Sequence, residues 1–428
     1  MKQLVLPFLI CLAIHSYAQN PIDLISVTET ERIEKILSSD EMQGRRTFTP
    51  GIEKAAAFIA AEFQQTGLQK WKNSTSYLQS FSMIRPRLIE VKGTIGSAQL
   101  DLRMINIVSI QQSLEVTQAS GYEVVFIKKE DNYINEARKI MGSTKNTLVI
   151  VDTAHIRIFS RFPQRGGMLY PSQSNLIFLL GSEAPSTYNI SCKQEITPMP
   201  LANVVGVLPG KTKPNEYVIF SGHYDHLGIS TRNMVGTDSI YNGANDDAAG
   251  TTAVIMLAKY FKKLNNNERT LIFAAFTAEE VGGFGATYFS KQFDPKQVMA
   301  MFNIEMIGTE SKWGRNSAYI TGFEKTDMGS ILQKNLEGTG FTFHPDPYPA
   351  QNLFYRSDNA TLARLGVPAH TISTSKMDSE PNYHKASDEI GTLDMYNMTA
   401  IIRAIALSSK GIVAGKETPS RVDTSTLK

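Results

Sequence analysis

Cysteine is nearly absent, with two residues in 428, Cys11 and Cys192. The first lies in residues 1–18, which read as a secretory signal. Lys2 supplies a positive charge, residues 4–14 are apolar around Pro7, and Ser16-Tyr17-Ala18 ends in a small residue before Gln19. Removing that stretch leaves Cys192 alone. No intrachain disulfide can then form, and stability must come from the core and from any bound metal. Ile10 before Cys11 is wrong for a bacterial lipoprotein site, so no lipid anchor is expected. Long apolar runs are also missing. The amino-terminal run is too short to span a bilayer and no other comes close, so stable membrane insertion is not expected. No sign of charge dominates. The 43 Lys and Arg against 41 Asp and Glu leave a net charge of +2. Like charges form no block, which argues against a nucleic-acid or acidic-membrane partner. Histidine is scarce, with seven residues, so its placement is informative.

What is present is ordinary globular material, 42% hydrophobic and 20% charged. The length exceeds one average domain. After the signal, residues 19–74 read as a helical amino-terminal part. Thr28-Glu29-Thr30-Glu31 opens one helix. Gly44-Arg45-Arg46 and Thr49-Pro50-Gly51 are turn chemistry. Residues 52–66 carry Ala56, Ile59 and Phe63 at helical spacing, and Gly67 stops them. Residues 75–200 change texture. Short β-prone runs recur at 78–83, 88–91, 122–127, 147–151 and 175–180, with a helix expected at 133–140. This stretch reads as a β-rich inserted subdomain, a scaffold or lid without a ligand cluster. From residue 201 to 415, strands and helices alternate. Residues 202–207, 217–220, 271–276, 298–304 and 367–372 read as strands. Residues 251–264, 357–365 and 393–412 read as helices. The expected fold class is α/β: a mostly parallel, mixed central sheet with helices on both faces, plus the β-rich insertion. Residues 416–428 form a polar tail, expected to be disordered.

Four loops after these strands carry metal-ligand side chains. The first, after the apolar run Val218-Ile219-Phe220, holds His223, Asp225 and His226, and the Gly- and Asn-rich turn before the next helix holds Asp246 and Asp247. The second is Thr277-Ala278-Glu279-Glu280, directly after a strand. The third is Asn303-Ile304-Glu305-Met306, and the fourth runs from Asn382-Tyr383-His384 to Asp388. Open α/β sheets place ligands at the carboxyl ends of their strands. Imidazoles and carboxylates crowded there suit zinc or a similar divalent ion. Each loop alone has an ordinary reading as a solvated turn or a salt bridge. All four falling at the same end of one sheet is what points to a site.

These motifs resemble those of the secreted co-catalytic di-zinc exopeptidases, the family of bacterial leucyl aminopeptidases, glutamate carboxypeptidase and, more distantly, glutaminyl cyclases. The resemblance covers residues 201–412, together with Gly44-Arg45 and residues 52–67. It implies two Zn2+ ions. His223, Asp246 and Glu305 would surround one ion, with Asp246 bridging, and Glu280 and His384 would complete the other. Glu279 would be the general base. Asp225 would stand behind His223 and fix its tautomer, and Tyr383 would support the oxyanion. Arg356, Ser357 and Asp358 would line the substrate end. Asp388 would orient His384 or cap a helix. One departure stands out: the family usually has Asp where this chain has Glu305. The implied activity is removal of amino-terminal residues from peptide substrates by an exported enzyme, periplasmic or extracellular. Carboxypeptidases and dipeptidases on the same scaffold remain open, because the metal cluster does not encode which terminus is read. A glutaminyl cyclase would go with one zinc and a reduced ligand set, whereas all five ligand positions are filled here. A non-catalytic binding ectodomain need not keep Glu279. The sequence assigns no oligomeric state.

Overall fold

The structure is a computed structural model, and it describes residues 20–72, 74–159, 170–171, 174–232 and 234–427. The signal expected over residues 1–18 lies outside the described residues. The chain forms two compact units. One holds the residues up to Gln79 and those from Asn203 onward, and the other is Ser80–Ala202.

The first unit opens with two helices, α1 (Val27–Leu37) and α2 (Pro50–Thr66). The Ser26 hydroxyl accepts the Glu29 N–H and so caps α1. Pro50 starts α2, and Gly67, at φ 74°, ends it. The sheet uses the last residues of β1 (Tyr188–Leu208), then β2 (Lys213–His223), β3 (Arg269–Phe276), β4 (Val298–Ile304), β5 (Ser317–Ile320), β6 (Thr342–Pro345) and β7 (Ala369–Ser373). Their spatial order is β6-β5-β7-β4-β2-β3-β1. The central pairs β3-β2, β2-β4 and β4-β7 are parallel. β1 against β3 and β5 against β7 are antiparallel. The mixed, mostly parallel sheet expected from the alternation is therefore present. Between the strands run α3 (Ala249–Leu264), α4 (Phe284–Ser290), α5 (Met328–Lys334) and α6 (Asn359–Ala363), and α7 (Met395–Ser408) follows β7.

Successive strand side chains point to opposite faces, so the unbroken apolar runs bury both. Phe220, Phe273 and Phe302, from the three central strands, stack with centroids 4.9–5.6 Å apart. Helices α1, α2, α3 and α7 cover that face with Leu37, Phe63, Phe261 and Ile405, among others. Ile219, Ile272 and Met301 face the other way, under Phe289 of α4 and Leu362 of α6. The pattern from residue 309 to 356 was not legible, and β5, α5 and β6 occupy it. These elements are short, and the β5-β6 pair lies at the sheet edge, where no long apolar run is needed.

The tail is a correction. Expected to be disordered, it packs on the first unit. Arg269 donates to the Glu417 carbonyl at 2.6 Å, Arg421 donates to the Val298 carbonyl at 2.7 Å, and Val422 is buried. A polar composition hid one apolar anchor and two arginine bonds to backbone.

The second unit is β-rich, with a helix at Tyr133–Met141. One four-stranded sheet has the order Ile105–Val108, Leu176–Leu180, Thr147–Val151, Glu123–Ile127. The last three are parallel and the first is antiparallel. Among the described residues, every group of three or more possible metal ligands lies in the first unit.

Candidate metal centre

β2, β3, β4 and β7 end side by side, and the loops leaving them bring the polar side chains together. His223 is the last residue of β2. Its backbone N–H donates to Asp247 Oδ2 at 3.1 Å, and its carbonyl accepts the Thr251 hydroxyl at 2.8 Å. Asp247 also accepts the Gly250 and Met306 N–H groups, each at 3.0 Å. One buried carboxylate thus ties the strand end, the start of α3 and the loop after β4 to one another. The approach is close enough to require glycine at 250, where a Cβ would sit 2.1 Å from the Ile304 carbonyl oxygen.

Arg45, fully buried, reaches in from the turn between α1 and α2. It donates to the carbonyls of Leu37, Tyr224, Asn242 and Gly243 at 2.5–2.9 Å. The loops bearing His223 and Asp246 hang on it.

At the centre is Asp246. Its Oδ1 lies 3.2 Å from His223 Nε2, and its Oδ2 lies 3.3 Å from His384 Nε2. His384 Nε2 is also 3.2 Å from Glu280 Oε2. Glu305 joins His223 and Asp246 in one group of donor atoms within 4.8 Å of one another, while His226, Asp246 and Glu280 form a second. Ala278, Met306 and His384, each at or within two positions of one of these residues, hold positive φ angles of 61°, 52° and 55°. That conformation costs non-glycine residues of order 1–3 kcal/mol each, and such strain gathers at functional sites.

The residues fit divalent metal. His223 Nε2 and Glu305 Oε2 are buried and lack any hydrogen-bond partner, although both belong to the same cluster. Buried polar atoms rarely stay unpaired without a ligand. Four-coordinate zinc with bonds of about 2.0–2.1 Å would hold its donors roughly 3.3 Å apart. The His223–Asp246, Asp246–His384 and His384–Glu280 distances match that spacing. The electrostatics agree. Burial, with neighbouring carboxylates, raises Asp247, Glu279 and Glu305 above the usual carboxylate range. Burial alone would raise Asp246 too, but the bonds from His223 and His384 outweigh it and hold Asp246 well below that range. Burial works against a charged His384, yet Asp246 and Glu280 lift it to about 10. Without metal, the cluster is short of positive charge.

Three predicted residues sit elsewhere than their expected roles required. Asp225 does not fix His223 through its carboxylate, because the His223 Nδ1 partner is the Asp225 backbone carbonyl at 3.1 Å. The Asp225 carboxylate instead accepts the backbone N–H groups of Glu279 and Glu280 at 3.0 and 3.3 Å, which sets the pose of that pair. Asp388 neither orients His384 nor caps a helix. It accepts the N–H groups of Asn245 and Asp246 at 2.8 and 3.0 Å and so holds the central carboxylate from behind. Asp358 is buried with both oxygens unpartnered, and burial pushes its carboxyl up to about 8. It is absent from the cleft wall.

The cleft itself is lined by Glu279, Glu305, Tyr383 and His384, with Arg356, Ser357 and apolar Met306, Leu353 and Met377, and Ser357 hydrogen-bonds Glu305. Tyr383 stacks on His384 with ring centroids 3.9 Å apart. Arg356 donates to Gln351 Oε1 at 3.2 Å. His226 had no role in the sequence reading, and its Nδ1 is 2.8 Å from Glu280 Oε1. Its signal was present, a second histidine three positions after His223. Loop residues have no fixed period, so nothing indicated that it too turns inward.

The chain was also compared with known proteins. Residues 203–408 match the profile of peptidase family M28. This segment belongs to peptidase family M28. The chain is 28% identical over 206 residues to a "Probable leucine aminopeptidase" of Trichophyton verrucosum, an alignment that covers 46% of this chain and 53% of that protein. The chain thus spans about half the length of that relative. Two solved structures share the fold, each at a TM-score of 0.54. An aminopeptidase from Aneurinibacillus sp. strain AM-1 is 16% identical and covers 92% of this chain and 95% of its own. The zinc aminopeptidase BSAP from Bacillus subtilis is 14% identical and covers 93% and 98%. The resemblance drawn from the loop motifs is borne out at the level of the family. Among the described residues, no helix is long and apolar enough to cross a membrane.

Proposed function

We propose that this chain is an exported di-zinc aminopeptidase that removes amino-terminal residues from peptides. The observation that carries the two-ion reading is the division of Asp246, with one oxygen beside His223 and the other beside His384. His223, Asp246 and Glu305 would hold one Zn2+, and Asp246, Glu280 and His384 the other. When bound, the pair would acidify a water molecule and polarise the scissile carbonyl. Glu279 would take the proton of the attacking water and pass it to the leaving amine. Its environment suits that work, because burial and the nearby Glu305, Asp358 and Glu280 charges raise its proton affinity. The Asp225 bond to the Glu279 N–H keeps it in place. Tyr383, on the cleft wall, would donate to the developing oxyanion.

Amino-terminal selection rests on Glu305. It lines the cleft with Glu279, and with one oxygen on metal its second oxygen would receive a free α-ammonium. A carboxypeptidase would need a cation for the substrate carboxylate. Among the described residues lining this cleft, Arg356 is the one Lys or Arg, and it is exposed and bonded to Gln351. Apolar Met306, Leu353 and Met377 favour an apolar amino-terminal side chain. Export follows from the signal-like residues 1–18. The test is hydrolysis of a panel of aminoacyl arylamides with free and N-acetylated amines. Free-amine substrates should be cleaved and acetylated ones poorly. Equal rates on both would overturn the aminopeptidase reading while leaving a metallohydrolase in place.

A further inference from the structure

Two histidines flank Glu280, His226 on Oε1 and His384 on Oε2. Taking His384 as the metal ligand leaves His226 without a task. On that reading of His384, we infer that His226 is a positioning residue that holds Glu280 so that a single oxygen, Oε2, faces the metal.

The Nδ1 distances set His226 apart from His384, while its buried Nε2 has no hydrogen-bond partner. Donors on one four-coordinate zinc lie about 3.3 Å apart. His384 Nε2 meets that spacing twice, at 3.3 Å from Asp246 Oδ2 and 3.2 Å from Glu280 Oε2. His226 Nδ1 meets it neither time. It is 3.9 Å from Asp246 Oδ2 and 2.8 Å from Glu280, on the other oxygen, Oε1. The latter is a hydrogen-bond length, typical of a charge-assisted N–H to a carboxylate. Glu280 therefore has its oxygens divided: Oε1 accepts from His226, and Oε2 points where His384 points.

The surroundings leave His226 little freedom. Its side chain is fully buried, and its backbone N–H donates to the Arg45 carbonyl at 3.3 Å. The ring packs so tightly on Gly243 that a Cβ there would lie 2.5 Å from it. The Glu280 backbone is held as well, by the bond from its N–H to Asp225 Oδ2 at 3.3 Å. Main chain and side-chain tip are thus fixed by separate partners. Loss of such an outer partner commonly weakens metal binding by about 10–100-fold. His223 stands on the far oxygen of Asp246, with its Nδ1 on the Asp225 carbonyl, and would keep its own ion.

Side-chain geometry supplies the test. The Nδ2 of asparagine occupies nearly the position of histidine Nδ1, whereas the Nε2 of glutamine corresponds to histidine Nε2. His226→Ala, His226→Asn and His226→Gln would be purified as holoenzymes. Zinc per chain would be measured across a graded series of chelator buffers, and the Co2+-substituted forms examined by visible absorption. The expected result is that His226→Ala releases one ion at about 10–100-fold lower chelator strength and holds the other as wild type does. His226→Asn should return close to the wild-type curve and Co2+ spectrum, and His226→Gln should not. A direct metal ligand could not be replaced by an amide nitrogen, so equal failure of Ala and Asn would overturn the inference. Wild-type retention of both ions in His226→Ala would also overturn it. If His226→Ala does not fold, the contrast between Asn and Gln still decides, and indistinguishable curves for those two refute the role. Chelator curves do not depend on the substrate. Failure of the arylamide assay would therefore sink the aminopeptidase reading without bearing on His226.

Discussion

Replacing Arg45 should damage both the fold and the metal centre, by an amount the structure lets us gauge. The guanidinium is buried and donates to four backbone carbonyls, Leu37, Tyr224, Asn242 and Gly243. Arg45→Ala would strand all four. A buried acceptor left unpaired costs about 1–3 kcal/mol. Water can enter the vacated space, so the low end applies, and four carbonyls then come to roughly 4 kcal/mol. At roughly 2 °C per kcal/mol, the low end for large domains, the melting temperature should fall by about 8 °C. Arg45→Lys keeps the charge but gathers its donors on one atom, so it should recover less than half of that loss. Tyr224 adjoins His223, and Gly243 lies three residues before Asp246, so zinc content should fall along with stability. Thermal melts with and without added zinc, together with metal analysis, would read both effects. If Arg45→Ala melts within about 2 °C of wild type and carries full metal, the clamp is not what holds these loops, because even two stranded carbonyls would exceed that shift.

Glu279 and Glu280 should divide by role. Glu279→Gln should keep its metal yet lose at least about 10²-fold in kcat, whereas Glu280→Gln should lose metal first. Metal analysis and steady-state rates distinguish these outcomes, and the reverse pattern would swap the assignment. Removing metal from wild type with a chelator should lower the melting temperature, since metal held only by the folded chain stabilises it by mass action. His223→Ala and His384→Ala should melt closer to their own metal-free forms. A chelator-insensitive wild type would show that these residues hold no tight ion.

Much of this was legible from residue order. The runs at 217–220, 271–276 and 298–304 are apolar without alternation, because strands covered on both faces must be, and they emerged as β2, β3 and β4. Glycines and asparagines after such runs mark where the chain leaves the sheet. Ligand-type side chains in those positions belong together at one end of the sheet on residue order alone. His223, Asp246, Glu280, Glu305 and His384 do meet there. The β-rich texture of the insertion was equally local information. Only the tertiary structure decided what each polar group faces. Asp225, Asp388 and His226 all lie within the motifs, yet hydrogen-bond partners are set by orientation across loops that are more than fifty residues apart in two of the three cases and over a hundred in the third. No periodicity encodes that. The same holds for Arg45, whose four carbonyl partners come from three separate segments. Residue order determines which groups are available at a strand's end. Which of them touches metal, and which merely steadies its neighbour, is a matter of ångströms that only the packed fold determines.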